Sequence, residues 1–309
     1  MKTTAMKITA SLTLVLLFVG SLAAANEIPT IGKIGEPVEV AAGFKFTEGP
    51  ASDGQGNLYF TDIPENKIHK LTAEGQVEVF TDESGHANGL MFNAAGELLA
   101  CEMDGQLVAW NIETKQRRVV ADQYNGKRFN ACNDLVVDSA GGVYFTDPSF
   151  RAPDPWPQGK LAVYYVDRNG KVARLIDDLP NPNGVILSPD EKTLYVIPTG
   201  QAEMMAYPVE SPGKIGAGKV FCKLQQKPGE QGRGGDGLAV DTKGNLYITS
   251  GLGLQVFNPQ GELLGIIALP QQPANVTFTG EKNNVLAATC RTAVYTVETE
   301  ATGHVFPGE

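Results

Sequence analysis

Six polar residues are the first candidates for chemistry: Glu48, Asn88, Asn133, Asn183, Asp236 and Asn275. Each is followed by an apolar run, in the stretches EGPAS, NGLMF, NDLVV, NGVIL, DGLAV and NVTF. The steps between them are 40, 45, 50, 53 and 39 residues. All six are oxygen donors, and none is basic or apolar. If the fold brings them to one point, two carboxylates and several amide carbonyls make a site for a hard cation. Calcium takes about six to eight oxygens and accepts neutral carbonyls, whereas magnesium keeps more water. With no His or Cys at a marker, the residue types themselves do not suggest zinc or copper. Glu48 and Asp236 facing one axis would also need a counter-cation, or one of them a proton. The alternative, that Asn and Asp merely shape turns at strand starts, weakens with six residues in register.

A repeated element must hold these markers. A second stretch follows each one: LYFTD ending at Asp62, LLACE at Glu102, VYFTD at Asp147, LYVIP at Pro198, LYITS at Ser250 and VLAAT at Thr289. The offset from marker to second stretch is 14 residues in five copies and 15 in the fourth. Strand, turn and strand fill that offset, and further strands follow, as in KIHKLT and QVEVFT of the first copy. About four strands per unit of roughly 40–50 residues is the signature of a propeller blade. The expectation is an all-β fold: a single six-bladed β-propeller over residues 26–309. The last copy, Asn275–Val297, is one strand short, and PVEVAAGF at Pro37–Phe44 can supply it. That closes the ring and removes exposed sheet edges. A β-sandwich gives no reason for strands to recur in fours behind a fixed marker.

The chain of 309 residues carries a formal charge of −10 and is 42% apolar. The charge argues against nucleic acid or an anionic membrane surface as partner. Residues 1–25 read as a signal peptide: Lys2 and Lys7, the mostly apolar run Ile8–Val19, then the small residues of Ser21–Ala25. Cleavage near Ala25 gives an exported protein, periplasmic or secreted, with no stable membrane insertion; a retained anchor is the alternative. Four cysteines, Cys101, Cys132, Cys222 and Cys290, match no zinc spacing and are expected to be free, buried packers.

One stretch differs from its repeats. RFNACND, Arg128–Asp134, places Arg-x-Asn ahead of its marker, and no other copy does. Together with EGP at Glu48, the following VYFTDP, PNGV at Asn183 and GDGLAVDTKGNLYI from Gly235, it resembles the gluconolactonase/regucalcin (senescence-marker-protein) family, from about Phe46 to Val297. The resemblance implies a six-bladed propeller with a catalytic divalent metal in its channel and a small-molecule lactone as substrate. It implies Glu48, Asn183 and Asp236 as direct ligands, with Asn133 a fourth, direct or through water. It implies Arg128 as the substrate-contacting residue, with Asn130 sharing that duty. The metal expected is Ca²⁺, with Mg²⁺, Mn²⁺ or Zn²⁺ as alternatives. Cys132 replaces the family's usual Pro, and Ile197-Pro198-Thr199 stands where relatives more often carry Ala-Asp-Ser/Thr.

The expected reaction is hydrolysis of sugar-acid lactones. The metal polarises the carbonyl, and either Asp236 as general base or a metal-bound water drives attack. Organophosphate or aryl-ester hydrolysis on the same site is one alternative, and a non-catalytic calcium-stabilised binding propeller is the other. Histidine acid/base chemistry finds little support, because His69, His86 and His304 all lie off the markers. Ser149, Ser188 and Ser250 lack a nucleophile elbow, and GRGGDG precedes a strand rather than the helix of a phosphate loop.

Overall fold

A computed structural model of the chain describes residues 27–307; the expected signal segment and its cleavage point lie outside the described residues. Six antiparallel sheets carry the fold. The first blade runs Thr47–Ser52, Leu58–Asp62, Lys67–Leu71, Val77–Thr81, and the second Ala87–Phe92, Glu97–Glu102, Gln106–Asn111, Arg117–Ala121. The third is Leu135–Val137, Val143–Asp147, Ala162–Val166, Val172–Ile176. The fourth, Pro182–Leu187, Thr193–Pro198, Glu203–Ser211, Lys219–Lys223, adds the short strand Lys214–Ile215. The fifth is Leu238–Val240, Leu246–Ser250, Gly253–Phe257, Leu263–Ile267. The sixth takes three strands from the C-terminal end, Asn275–Thr279, Val285–Cys290 and Ala293–Glu298, and its outer strand, Val38–Ala42, from the N-terminal end. The ring therefore closes with the strand expected for it, Ala293 pairing with Ala42 and Thr296 with Val38. Among the described residues the only helical turn is a 3-10 turn at Ile63–Glu65.

Strand composition explains the core. Inner and second strands carry apolar residues on both faces, because each sheet is covered on both sides by neighbouring blades. Leu58–Asp62, Val143–Asp147 and Leu246–Ser250 are buried at every position. Outer strands such as Val77–Thr81 and Arg117–Ala121 keep mostly exposed residues. The four cysteines are free and buried.

The pairing between inner and second strands slips at three markers. The register shifts between Glu48 and Ala51, between Ala87 and Leu90, and between Pro182 and Val185. A bulge re-aims a side chain that the pleat would otherwise fix; here Asn88 and Asn183 lie inside the shifts, and Glu48, paired with Thr61, stands immediately before one. The glycine after the marker answers a different demand. A Cβ on Gly184 would lie 2.4 Å from the Asp236 carbonyl oxygen, and one on Gly49, at φ +48°, 2.0 Å from that of Asn88. Inner strands of successive blades approach too closely for a side chain there.

Candidate active site

Five of the six markers line one cavity of about 400 Å³: Glu48, Asn88, Asn133, Asn183 and Asp236. Asn275 is the exception. It lies against a smaller space lined by Asp134, Leu238 and Phe278, where its amide interacts with both Glu48 and Asp134. The remaining cavity wall is mostly apolar, from Phe46, Ile63, Pro64, Met103 and Phe150, with Thr199 and Arg151 completing it.

Second-strand carboxylates set the approach to the markers. Asp62 accepts from the backbone N–H groups of Lys45 and Phe46, both at 3.0 Å. Asp147 does the same for Asn130 at 2.9 Å and Ala131 at 2.7 Å. In each case the chain entering the inner strand is clamped to the strand that follows. Burial pushes Asp147 up to about 7 against the pull of those two donors.

The electrostatics of the cavity are unfavourable as the protein stands alone. Burial, and then the nearby Asp236 carboxylate, raise Glu48 well above the usual glutamate range; the Gly49 N–H, 2.8 Å from its Oε2, opposes them in part. Asp236 is pushed by burial to about 6, while an Asn183 hydrogen bond and the Arg291 guanidinium pull it down. Asp134, beneath the ring, reaches about 7 for the same reason. Asn183 donates its NH₂ to Thr199 Oγ1 at 2.9 Å and to Asp236 Oδ1, which leaves its carbonyl oxygen for another partner. Asn133 is more telling, because its Oδ1 is buried and accepts no hydrogen bond. A buried orphan acceptor costs roughly 1–3 kcal/mol.

An orphan amide oxygen, a second amide with its oxygen uncommitted and two mutually repelling carboxylates fit a hard divalent cation. Among the described residues no three His, Cys, Asp or Glu side chains cluster as a metal group. A site with two carboxylates and neutral amides has no such cluster to show.

The two residues proposed for substrate contact are placed elsewhere. Arg128 does not line the cavity. Its Nε donates to the Phe129 carbonyl at 3.0 Å and an Nη to that of Asn130 at 3.2 Å, and its guanidinium lies over Gly105. Asn130 is fully buried. Its NH₂ donates to the Lys160 carbonyl at 2.8 Å, and its Oδ1 accepts from Gln158 N at 3.1 Å. The Arg-x-Asn prefix thus pins the loop before Asn133, Arg128 through its Nε and one Nη and Asn130 through both ends of its amide. Thr199 of the fourth repeat, which follows the unusual Ile197-Pro198, joins the site directly, passing a hydrogen bond from Asn183 on to the Gly235 carbonyl at 3.1 Å.

Sequence reasoning missed Arg151, the single cation among the cavity-lining residues. It stands four residues beyond Asp147 in a turn outside the repeat, so no periodicity marks it.

Known proteins are similar to this chain in sequence and fold. The chain is 32% identical to a gluconolactonase of Zymomonas mobilis over 297 residues, covering 87% of this chain and 83% of that protein. It is 28% identical to lactonase drp35 of Staphylococcus haemolyticus over 282 residues, 83% of this chain and 84% of the other. The solved structure of a gluconolactonase from Xanthomonas campestris superposes with a TM-score of 0.79 at 29% identity, covering 90% of this chain and 92% of that one. Residues 46–291, the span that holds all six markers, match the SMP-30/Gluconolactonase/LRE-like region, and the chain belongs to that family.

Proposed function

We propose that the protein is an exported hydrolase that opens sugar-acid lactones with a divalent cation, Ca²⁺ first, held by Glu48, Asn133, Asn183 and Asp236. The observation that carries the metal is the buried, unpartnered Oδ1 of Asn133 beside two carboxylates that repel one another. Family membership supports the reaction, and the signal-like residues 1–25 support export.

When bound, the cation polarises the lactone carbonyl and stabilises negative charge on its oxygen. The chain supplies the rest. Asn183 holds Asp236 through Oδ1, and the second carboxylate oxygen accepts the proton of the attacking water. Arg291 keeps Asp236 more acidic than burial alone would allow, so the carboxylate stays ionised near neutral pH and able to act as a base. Phe46, Ile63, Pro64, Met103 and Phe150 give the cavity an apolar wall, which lowers the local dielectric beside the charges and strengthens their interactions. The same apolar wall favours one second reading, hydrolysis of aryl esters or organophosphates.

The test is a substrate panel on chelator-treated protein, with Ca²⁺, Mg²⁺, Mn²⁺ or Zn²⁺ restored one at a time. Glucono-1,5-lactone should be hydrolysed only with metal, and faster than an aryl phosphotriester at equal concentration. Asp236→Asn should lower that rate at least about a hundredfold, within the range of a lost general base, in protein that remains folded. Absence of metal-dependent acceleration on every lactone would refute the proposal.

A further inference from the structure

The cavity has two acids and one cation in its wall, in a protein whose formal charge is −10. That cation, Arg151, is held in a defined way. One Nη lies 2.9 Å from His86 Nε2, and Nε lies 3.8 Å from Asp104 Oδ1. His86 Nδ1 is in turn 3.2 Å from Asp104 Oδ2. A guanidinium can only donate, so His86 Nε2 must accept. The imidazole proton then sits on Nδ1 and is donated to Asp104. Asp104, His86 and Arg151 form a three-member set: two hydrogen bonds run from Arg151 to His86 and from His86 to Asp104, and an ion pair joins Arg151 to Asp104.

Its supports come from separate blades. His86 stands in the left-handed region at φ 53°, and its backbone N–H donates to Asn66 Oδ1 at 2.6 Å. Met103 N donates to the His86 carbonyl and Asp104 N to that of Gly85, both at 3.2 Å. Those two bonds lock the residues ahead of the second blade to that blade's own hairpin. Arg151 arrives from the third blade in a turn anchored by Ser149 Oγ donating to Asn181 Oδ1 at 2.7 Å. No other described hydrogen bond uses its remaining N–H groups. An arginine held along one edge, with its other donors unspent in the wall of a cavity, is preorganised to bind oxygen-rich groups.

We propose that Arg151 is the substrate-orienting residue of this cavity, donating to ring hydroxyls or a carboxylate of a sugar-acid lactone, and that His86 and Asp104 are positioning residues that aim it. This rests on the lactone-hydrolase reading above. It places the orienting guanidinium in the cavity wall itself, where Arg128 does not stand. An unsubstituted lactone offers Arg151 nothing to hold, so the discriminating quantity is a ratio. It is kcat/KM for glucono-1,5-lactone divided by kcat/KM for δ-valerolactone, with metal saturating.

Arg151→Gln should lower the ratio about tenfold, the equivalent of about 1.4 kcal/mol for a lost charge-assisted hydrogen bond, with the loss carried by KM. His86→Phe, which removes the acceptor and keeps the bulk, should lower it about threefold. His86→Gln, whose amide oxygen can accept from Arg151, should restore most of it. If wild type is active and the Arg151→Gln ratio is unchanged, or both substrates lose equally, the assignment to Arg151 falls while the lactonase reading stands. If wild type turns over neither lactone, both fall.

Discussion

Replacing Glu48 with Gln should stabilise the metal-free protein and disable the enzyme. Glu48 is 3% exposed, and its ionised form is opposed first by burial and then by Asp236. Two unit charges about 4 Å apart repel by roughly 4 kcal/mol at an effective dielectric near 20, an upper bound for two carboxylates in one cavity wall. Gly49 and Asn275 on one side, and Asn183 and Arg291 on the other, offset part of this. A net gain of about 1–2 kcal/mol is then expected for Glu48→Gln, whose amide oxygen can keep the Gly49 bond. For a protein of this size that is a Tm rise of about 2–3 °C.

The gain has a defined pH window. A carboxyl whose folded pKa is raised holds its proton in the native state after the unfolded chain has lost it, so it costs nothing at low pH. Stability falls as pH climbs from the ordinary glutamate range toward the raised folded value. The advantage of Glu48→Gln should therefore grow as pH rises from 5 to 8 and vanish by about pH 4. Metal inverts the comparison. At a hundred times its Kd, a cation stabilises wild type by about 2.7 kcal/mol, and the variant, one carboxylate short, should gain less than half of that at the same concentration. The assay is thermal melting of chelated and Ca²⁺-loaded protein at pH 5 and 8, with lactone hydrolysis measured alongside. A chelated variant that melts at or below wild type at pH 8 would refute the charge argument. Equal protection by Ca²⁺ would remove Glu48 from the ligand set.

Asn130→Ala should act on stability and leave the substrate KM alone. Its amide bridges Lys160 and Gln158 in full burial, so urea unfolding should show a loss of about 2–3 kcal/mol. A rise in KM without destabilisation would return Asn130 to the substrate site. The four thiols should be inert to a thiol reagent in native protein and all titrate after denaturation, because each is buried and burial raises its pKa. Fewer than four equivalents under denaturing, non-reducing conditions would reveal a disulfide.

The ring was legible because propeller geometry writes itself into sequence twice. The marker and the second-strand residue recur at a fixed offset, and both recur for packing reasons before any functional ones. Asp62 and Asp147 show this: each clamps the segment leading into its own inner strand. The missing outer strand of the sixth blade was legible for the same reason, as a repeat that lacked one strand. Register also carried the convergence of Glu48, Asn88, Asn133, Asn183 and Asp236. It failed for Asn275, because equal spacing along the chain does not fix depth along a channel: Asn275 pairs in register with Thr289, and its amide turns to Glu48 and Asp134.

What stayed hidden lies in the turns that repetition does not govern. Arg128 was conspicuous as the arginine of an Arg-x-Asn prefix that no other repeat has, yet it does not line the cavity and gives two donors to the carbonyls of Phe129 and Asn130. Arg151 was inconspicuous, one cation in a loop, and becomes meaningful only when His86 and Asp104, 65 and 47 residues earlier in the chain, are seen to hold it. The difference is one of placement. A polar residue's availability depends on partners that sequence distance does not reveal, and a buried or half-held donor signals function by what it leaves unspent. By that criterion the orphan Oδ1 of Asn133 and the free edge of Arg151 are complementary. One is an acceptor awaiting a cation and the other a donor awaiting an oxygen-rich ligand, and both face the cavity where the two carboxylates repel.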